Sequence, residues 1–170
     1  MIDVKNIFPE CDADTLLVEL IINRGKPNHK KGISEVTKAL DMFQNNNSRI
    51  VGLVDYDKLK YQNQNKYLVN FSEIILDQKN EDEGLIIKKI PNKQHFLIFV
   101  FKEFEPWIWK QAQLAKIDST EFGIKNLNEL YKLSKHYRNI GNANFKKFVN
   151  AVVSANPKGI ELLRSYLIVN

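Results

Sequence analysis

The sequence predicts an α/β fold in which a mostly parallel sheet is flanked by helices and followed by a helical C-terminal extension. Residues 50–54 form a continuous apolar run, which is typical of a strand buried on both faces of a parallel sheet. Strand-like and helix-like segments alternate early in the chain, whereas only helical patterns follow later. We therefore expect one domain over residues 1–170, with a core over about 1–103 and helices over about 104–170.

Alternating strand and helix signals mark the elements of the predicted core. Residues 4–9 are short and apolar enough for a first strand, and Asp12 is a suitable N-cap for the helix that follows. That helix ends near Gly25. A basic loop over 26–32 then leads to a second helix, for which Ser34 is a suitable N-cap. After the strand at 50–54 and a polar stretch at 58–66, further strands are expected over 84–90 and 95–101, with a turn at 91–93.

The rest of the chain is predicted to be helical over about 105–116, 127–137, 144–155 and 159–167, the last helix following Pro157. Trp107 and Trp109 lie in the first of these helices. Aromatic residues in an apolar helical segment pack in a core more often than they stack on bases. We therefore expect both tryptophans to pack.

Composition and charge restrict the class of protein. The hydrophobic fraction of 44% and the charged fraction of 26% are typical of a soluble globular domain. The longest apolar runs are too short to span a bilayer, the N-terminal residues lack the pattern of a secretory signal, and the single cysteine, Cys11, excludes an internal disulfide framework. We expect a cytoplasmic protein without a membrane partner.

Positive charge is concentrated in the last third of the chain. From Gly123 onward, eight Lys or Arg residues stand against two Glu, although the whole chain has a net charge of only +5. Such a surface attracts phosphate backbones, but helical lysines also form ordinary solvated faces, and the two interpretations remain open.

Acidic residues follow two of the predicted strands. Asp55 and Asp57 come directly after the strand at 50–54, at the strand end where open α/β sheets place their sites. Carboxylates two residues apart on an extended chain point the same way, and their oxygens suit Mg²⁺. Glu10 follows the first predicted strand and would face Asp55 if the two strands are neighbours. Clustered carboxylates repel one another unless a cation neutralises them.

The order of these features resembles the Toprim domain of primases, topoisomerases and OLD-type nucleases, over roughly residues 4–60. The resemblance rests on Glu10 with Asp14 four residues on, a Lys-Lys-Gly loop between two helices, and a strand followed by Asp55-Tyr56-Asp57. It implies that Glu10 acts in acid–base chemistry or metal binding, that Asp55 and Asp57 bind Mg²⁺ or Mn²⁺, and that Asp14 is a secondary acid. OLD-type relatives often bring another acid to a second metal, and Glu105 is the candidate here. Its alternative role is that of an acid at a helix N-terminus.

The expected function is therefore that of a Mg²⁺-dependent nuclease of Toprim type, with Glu10, Asp55 and Asp57 as catalytic residues. The resemblance also implies an ATPase partner or a homodimer. The residues expected to contact nucleic acid are basic: Lys30, Lys31, Lys135, Arg138, Lys146 and Lys147.

Two other functions stay open. The first is a catalytically inactive Toprim-like module that binds a protein or nucleic acid, favoured by Cys11, which stands where the family usually has glycine. The second is a phosphatase with an aspartate nucleophile, disfavoured because Leu59 replaces the threonine usual two residues after the second acid. The pattern does not distinguish DNA from RNA as the substrate.

Overall fold

The computed structural model describes residues 3–43, 48–56, 67–135 and 143–168. Within them lie five strands, which form one sheet in the order β1-β2-β5-β4-β3. The strands are β1 (Ile7–Pro9), β2 (Ile50–Asp55), β3 (Glu73–Asp77), β4 (Leu85–Lys89) and β5 (His95–Val100). The helices are α1 (Asp12–Ile22), α2 (Ile33–Met42), α3 (Phe104–Leu114), α4 (Leu127–Lys135), α5 (Ala143–Ala155) and α6 (Lys158–Leu167). The predicted α/β class is confirmed.

The sheet is mixed. Strands β1, β2 and β5 are parallel neighbours, whereas β4 runs antiparallel to both β5 and β3. The reason lies in the length of the connections. A short turn joins β4 to β5, closed by the hydrogen bond from Lys93 N to Ile90 O at 3.1 Å, and a parallel pair needs a much longer crossover. The turn predicted at residues 91–93 therefore itself requires the antiparallel pairing.

Strand β3 was not predicted from the sequence. It lies at the edge of the sheet, and Ile74 is 59% exposed although it belongs to an apolar run. The pairing with β4 shifts register between Ile74 and Leu76. An irregular edge strand with charged ends carries neither clean alternation nor a buried run, which are the signals that identify strands.

Two predicted helix starts were wrong. The N-cap of α1 is Cys11 rather than Asp12, since the Cys11 Sγ accepts from the backbone N–H of Asp14 at 3.4 Å. Helix α2 begins after Gly32, which has a φ of +89° and makes no side-chain cap, so Ser34 lies inside the helix. The first strand is also shorter than predicted, because Val4–Asn6 forms a 3₁₀ turn ahead of it.

The basic loop runs beside β1. The backbone N–H groups of Asn28, Lys30 and Gly32 donate to the carbonyls of Ile7, Pro9 and Glu10 at 2.9, 2.9 and 3.0 Å, respectively. These alternating bonds resemble one side of a parallel ladder. They place the Lys-Lys pair beside the carboxyl end of β1.

Helices cover both faces of the sheet. Helix α2 packs on one face, where a Cβ on Gly52 would lie only 3.1 Å from Leu40 Cδ1, so glycine allows the close approach. Helices α1, α3, α4, α5 and α6 contribute to the apolar cluster on the other face. Trp107 is 1% exposed and Trp109 packs at the margin of this cluster, which confirms the prediction that both pack.

Two polar side chains, the buried Gln111 and the half-buried Arg49, connect distant parts of the chain. The Gln111 amide donates to Asp82 O at 2.7 Å and accepts from Gly159 N at 3.0 Å, which joins α3 to the start of α6. The Arg49 guanidinium donates twice to Tyr166 O, at 3.2 and 3.0 Å, and lies 4.3 Å from the centroid of the Phe96 ring. Among the described residues, no helix has the length and apolar character needed to cross a membrane.

Candidate functional site

Acidic side chains gather where the three parallel strands end. Glu10 follows β1, Asp55 ends β2, and Glu103 and Glu105 lie just after β5, at the start of α3. This edge of a parallel sheet is the usual position of a binding site in α/β proteins. A cleft of about 360 Å³ opens there, between the first turn of α1, the first turn of α3 and one side of α4. Its lining residues include Cys11, Asp12, Asp55, Glu103, Glu105, Tyr131, Ser134 and Lys135.

Glu10 and Asp55 are direct neighbours, as the strand pattern predicted. The Glu10 side chain is buried, and its Oε2 accepts from the backbone N–H of Asp55 at 3.2 Å. Asp55 Oδ1 in turn accepts from the N–H of Phe104 at 3.0 Å, at the N-terminus of α3. Backbone donors therefore fix the orientation of both carboxylates. Asp57, the third predicted catalytic acid, lies outside the described residues.

Asp14 is the most unusual acid of the group. Its side chain is fully buried, and neither carboxylate oxygen has a hydrogen-bond partner among the described residues. Burial raises the pKa of Asp14 from 3.8 to about 7; the adjacent Cys11 side chain acts to lower it, and the nearby carboxylates of Glu10 and Glu105 act to raise it. An acid in this position must share a proton or meet a cation, because an unpaired buried charge is very costly.

Hydroxyl groups on α4 hold the two acids of α3. The Tyr131 phenol donates to Glu103 Oε2 at 2.7 Å, and the Ser134 hydroxyl donates to Glu105 Oε1. Burial raises the pKa of Glu105, and Glu103 adds to the shift. Glu105 also lies in the first turn of α3, so its predicted metal role and its alternative role as a helix acid are compatible with this position.

Sequence reasoning missed Tyr131 and Ser134. They are three residues apart on α4 and so lie on one side of that helix. This spacing alone does not show that α4 packs beside the start of α3, which is what gives the two hydroxyl groups their carboxylate partners.

Cys11 lies beside the acids but is unsuited to nucleophilic chemistry. Burial raises the pKa of its thiol strongly, and the carboxylate of Asp14 adds to the shift. Since the thiolate is the reactive form, the thiol is inert at neutral pH.

The predicted basic residues occupy several surfaces. Lys135 lines the cleft. Lys31 is exposed on the loop beside β1, and Lys30 Nζ lies 5.4 Å from the centroid of the Phe8 ring. Lys146 and Lys147 are exposed on α5, and Arg138 lies outside the described residues.

The character of the acids fits a hard cation. All the donors are carboxylates, which suit Mg²⁺ and Mn²⁺, and the two Asp14 oxygens still need a partner. Within residues 3–43, 48–56, 67–135 and 143–168, however, no group of three or more His, Cys, Asp or Glu is arranged as a metal site. Comparison with family models, curated proteins and solved structures found no match for this chain.

Proposed function

We propose that the protein is a Mg²⁺- or Mn²⁺-dependent nuclease with a Toprim-like core and a helical C-terminal part. One observation supports this function best: the fully buried carboxylate of Asp14, whose oxygens lack hydrogen-bond partners among the described residues, lies beside the other acids at the carboxyl ends of parallel strands. A divalent cation satisfies such a carboxylate and removes the mutual repulsion of the acids.

Glu10, Asp55 and Asp57 are the proposed ligands of the first cation, with Asp14 as a secondary acid, and Glu105 is the proposed ligand of a second. When bound, the cation would polarise a phosphodiester and lower the pKa of an attacking water. The chain itself contributes orientation, because backbone N–H groups of Asp55 and Phe104 hold the carboxylates of Glu10 and Asp55, respectively. Glu10 is the proposed ligand or general base, and loss of a positioned base typically costs about 10² to 10⁴ in rate.

The Toprim-like assignment is supported by the order and placement of the elements. A β–α–loop–α–β unit runs from β1 to β2, its two strands are parallel neighbours, and each is followed by a predicted functional acid. The segment that hydrogen-bonds along β1 adds strand-like backbone between the two helices. An ATPase partner or a second copy of the chain belongs to this proposal as well.

One observation favours the alternative of an inactive binding module. Four of the acids already accept a hydrogen bond from the protein: Glu10, Asp55, Glu103 and Glu105. Carboxylates held in this way can also serve to stabilise the fold, as acids at helix N-termini do. The two functions differ in whether a divalent cation binds at the acids.

Calorimetry with Mn²⁺ and cleavage assays on single-stranded DNA, duplex DNA and tRNA test the proposal. Asp55→Asn should abolish Mn²⁺ binding, whereas Glu10→Gln should retain weak binding and lose turnover. Glu121→Gln, which changes an exposed acid on the turn Ser119–Phe122, is the matched control and should behave as wild type. Equal Mn²⁺ affinity in wild type and Asp55→Asn would refute the metal site, and absence of cleavage by a metal-bound wild type would favour the binding module.

A further inference from the structure

The size of the cleft restricts what can reach the acids. Its volume of about 360 Å³ equals that of a sphere roughly 9 Å across, at the small end of the range for ligand sites. In an intact duplex the bases are paired and stacked, so a base can occupy this space only from a single strand or an unpaired position. A single strand, by contrast, can place one nucleotide in a space of this size.

The wall formed by α4 carries the two kinds of group that bind single strands. Tyr131 and Lys135 both line the cleft, and Lys135 Nζ lies 5.8 Å from the centroid of the Tyr131 ring. Proteins that hold single strands combine an aromatic ring, on which a base stacks, with a cation for the phosphate beside it. The hydrogen bond from the Tyr131 phenol to Glu103 fixes this ring in place before any ligand arrives.

The rest of the lining is mainly acidic. Asp55, Glu103 and Glu105 all line the cleft and would repel a phosphate that approached them directly. A divalent cation that neutralised these carboxylates would favour the entry of a strand. Lys135, at the end of α4, carries the positive charge of the lining.

We propose that the cleft binds a single nucleic-acid strand, with one base stacked on Tyr131 and the adjacent phosphate neutralised by Lys135. This inference rests on the proposed function, since the acids require a cation, and it names the substrate class as single strands and unpaired ends. Tyr131 then has two roles: its ring contacts the substrate, and its hydroxyl group positions Glu103.

Binding is measured by fluorescence anisotropy with a labelled oligothymidylate and a labelled blunt-ended duplex, in Ca²⁺ so that binding is separated from cleavage. We expect wild type to prefer the single strand. Tyr131→Leu should lose about 5-fold or more in affinity, because stacking on an aromatic ring contributes that much per base. Tyr131→Phe keeps the ring but loses the hydrogen bond to Glu103, so it should lose less affinity than Tyr131→Leu. Lys135→Ala should flatten the slope of log affinity against log salt by about 0.7. Lys132 is exposed on the same helix but lies outside the cleft lining, so Lys132→Ala is the control and should leave the salt slope unchanged.

The outcomes separate this inference from the proposed function. Equal affinity of wild type and Tyr131→Leu for the single strand, or duplex binding as tight as single-strand binding, would overturn the inference even if the protein cleaves nucleic acid. Single-strand binding that depends on Tyr131 and Lys135, without cleavage in Mn²⁺, would support the inference and overturn the nuclease. Thermal melting of each variant shows whether a loss of binding comes from unfolding.

Discussion

Asp14 should make the protein less stable as the pH rises from about 4 to about 7. In the unfolded chain this carboxyl group has its ordinary pKa of 3.8, whereas in the folded protein burial raises the pKa to about 7. Between these values the folded state binds a proton that the unfolded state has released. The free energy of unfolding therefore falls with rising pH across this window and levels off above it.

The magnitude follows from the size of the shift. A pKa difference between 3.8 and about 7 corresponds to about 4 kcal/mol in total. About 3 kcal/mol of this falls between pH 5 and pH 8, since part of the change is complete below pH 5. Solvent screens this effect little, because the side chain is fully buried. Asp14→Asn keeps the shape of the side chain and removes its titration.

Urea unfolding of wild type and Asp14→Asn at pH 5, 6, 7 and 8, without divalent metal, measures the effect. The histidines also titrate in this range, so the quantity to compare is the difference between the two proteins, which should move by about 3 kcal/mol in favour of the variant as the pH rises. Mn²⁺ at pH 8 should then stabilise wild type more than the variant, by mass action on the folded state. A pH dependence that is the same in both proteins would refute the assignment of Asp14 as the titrating group.

Three further variants test other parts of the structure. Gln111→Leu breaks both hydrogen bonds of a buried amide and should lower the free energy of unfolding by about 2 to 5 kcal/mol, whereas Gln113→Leu, exposed on the same helix, should change it little. Arg49→Lys cannot reproduce two N–H donors to the Tyr166 carbonyl and should cost about 1 to 3 kcal/mol; an unchanged urea midpoint would contradict this role. If Lys146 contacts duplex DNA, Lys146→Ala should flatten the slope of log affinity against log salt by up to roughly 0.9, and an unchanged slope would assign Lys146 to a solvated face.

The sequence predicted the part of the site that is formed by acids at the ends of strands. Glu10 and Asp55 each follow an apolar segment, and parallel neighbouring strands bring their carboxyl ends to one edge of the sheet. Their contact was therefore predictable once both strands were recognised. The interior strand β2 was clearest, since residues 50–54 form an apolar run that is buried at every position.

The parts that sequence analysis missed depend on tertiary contacts or on weak local signals. The partners of Glu103 and Glu105 come from α4, and nothing in the order of residues shows which face of α4 meets α3. The complete burial of Asp14 is also a tertiary effect, because an acid in the first turn of a helix is usually solvated. The cap of α1 was misassigned because Asp is a far commoner N-cap than Cys.

Cys11 is the residue that favours the inactive module in the sequence analysis, and Cys11→Gly tests what it contributes. Its Sγ caps α1 by accepting from Asp14 N, in an extended conformation that glycine can also adopt. The variant should lose about 1 kcal/mol or less, because sulfur is a weak acceptor and glycine is itself an acceptable N-cap. Its Mn²⁺ affinity and its cleavage rate should match those of wild type.

The result of this substitution shows whether Cys11 is only the N-cap of α1 or also a ligand of the cation. Cys11→Ser is the matched control, since its hydroxyl keeps a capping acceptor in the same place. If the thiol only caps the helix, Mn²⁺ affinity stays constant across wild type, Ser and Gly, and stability alone changes. A tenfold or greater loss of Mn²⁺ affinity in both variants, with the folded structure intact, would instead make Cys11 part of the cation site. That outcome would contradict its assignment as an inert thiol, because a metal ligand must be the thiolate.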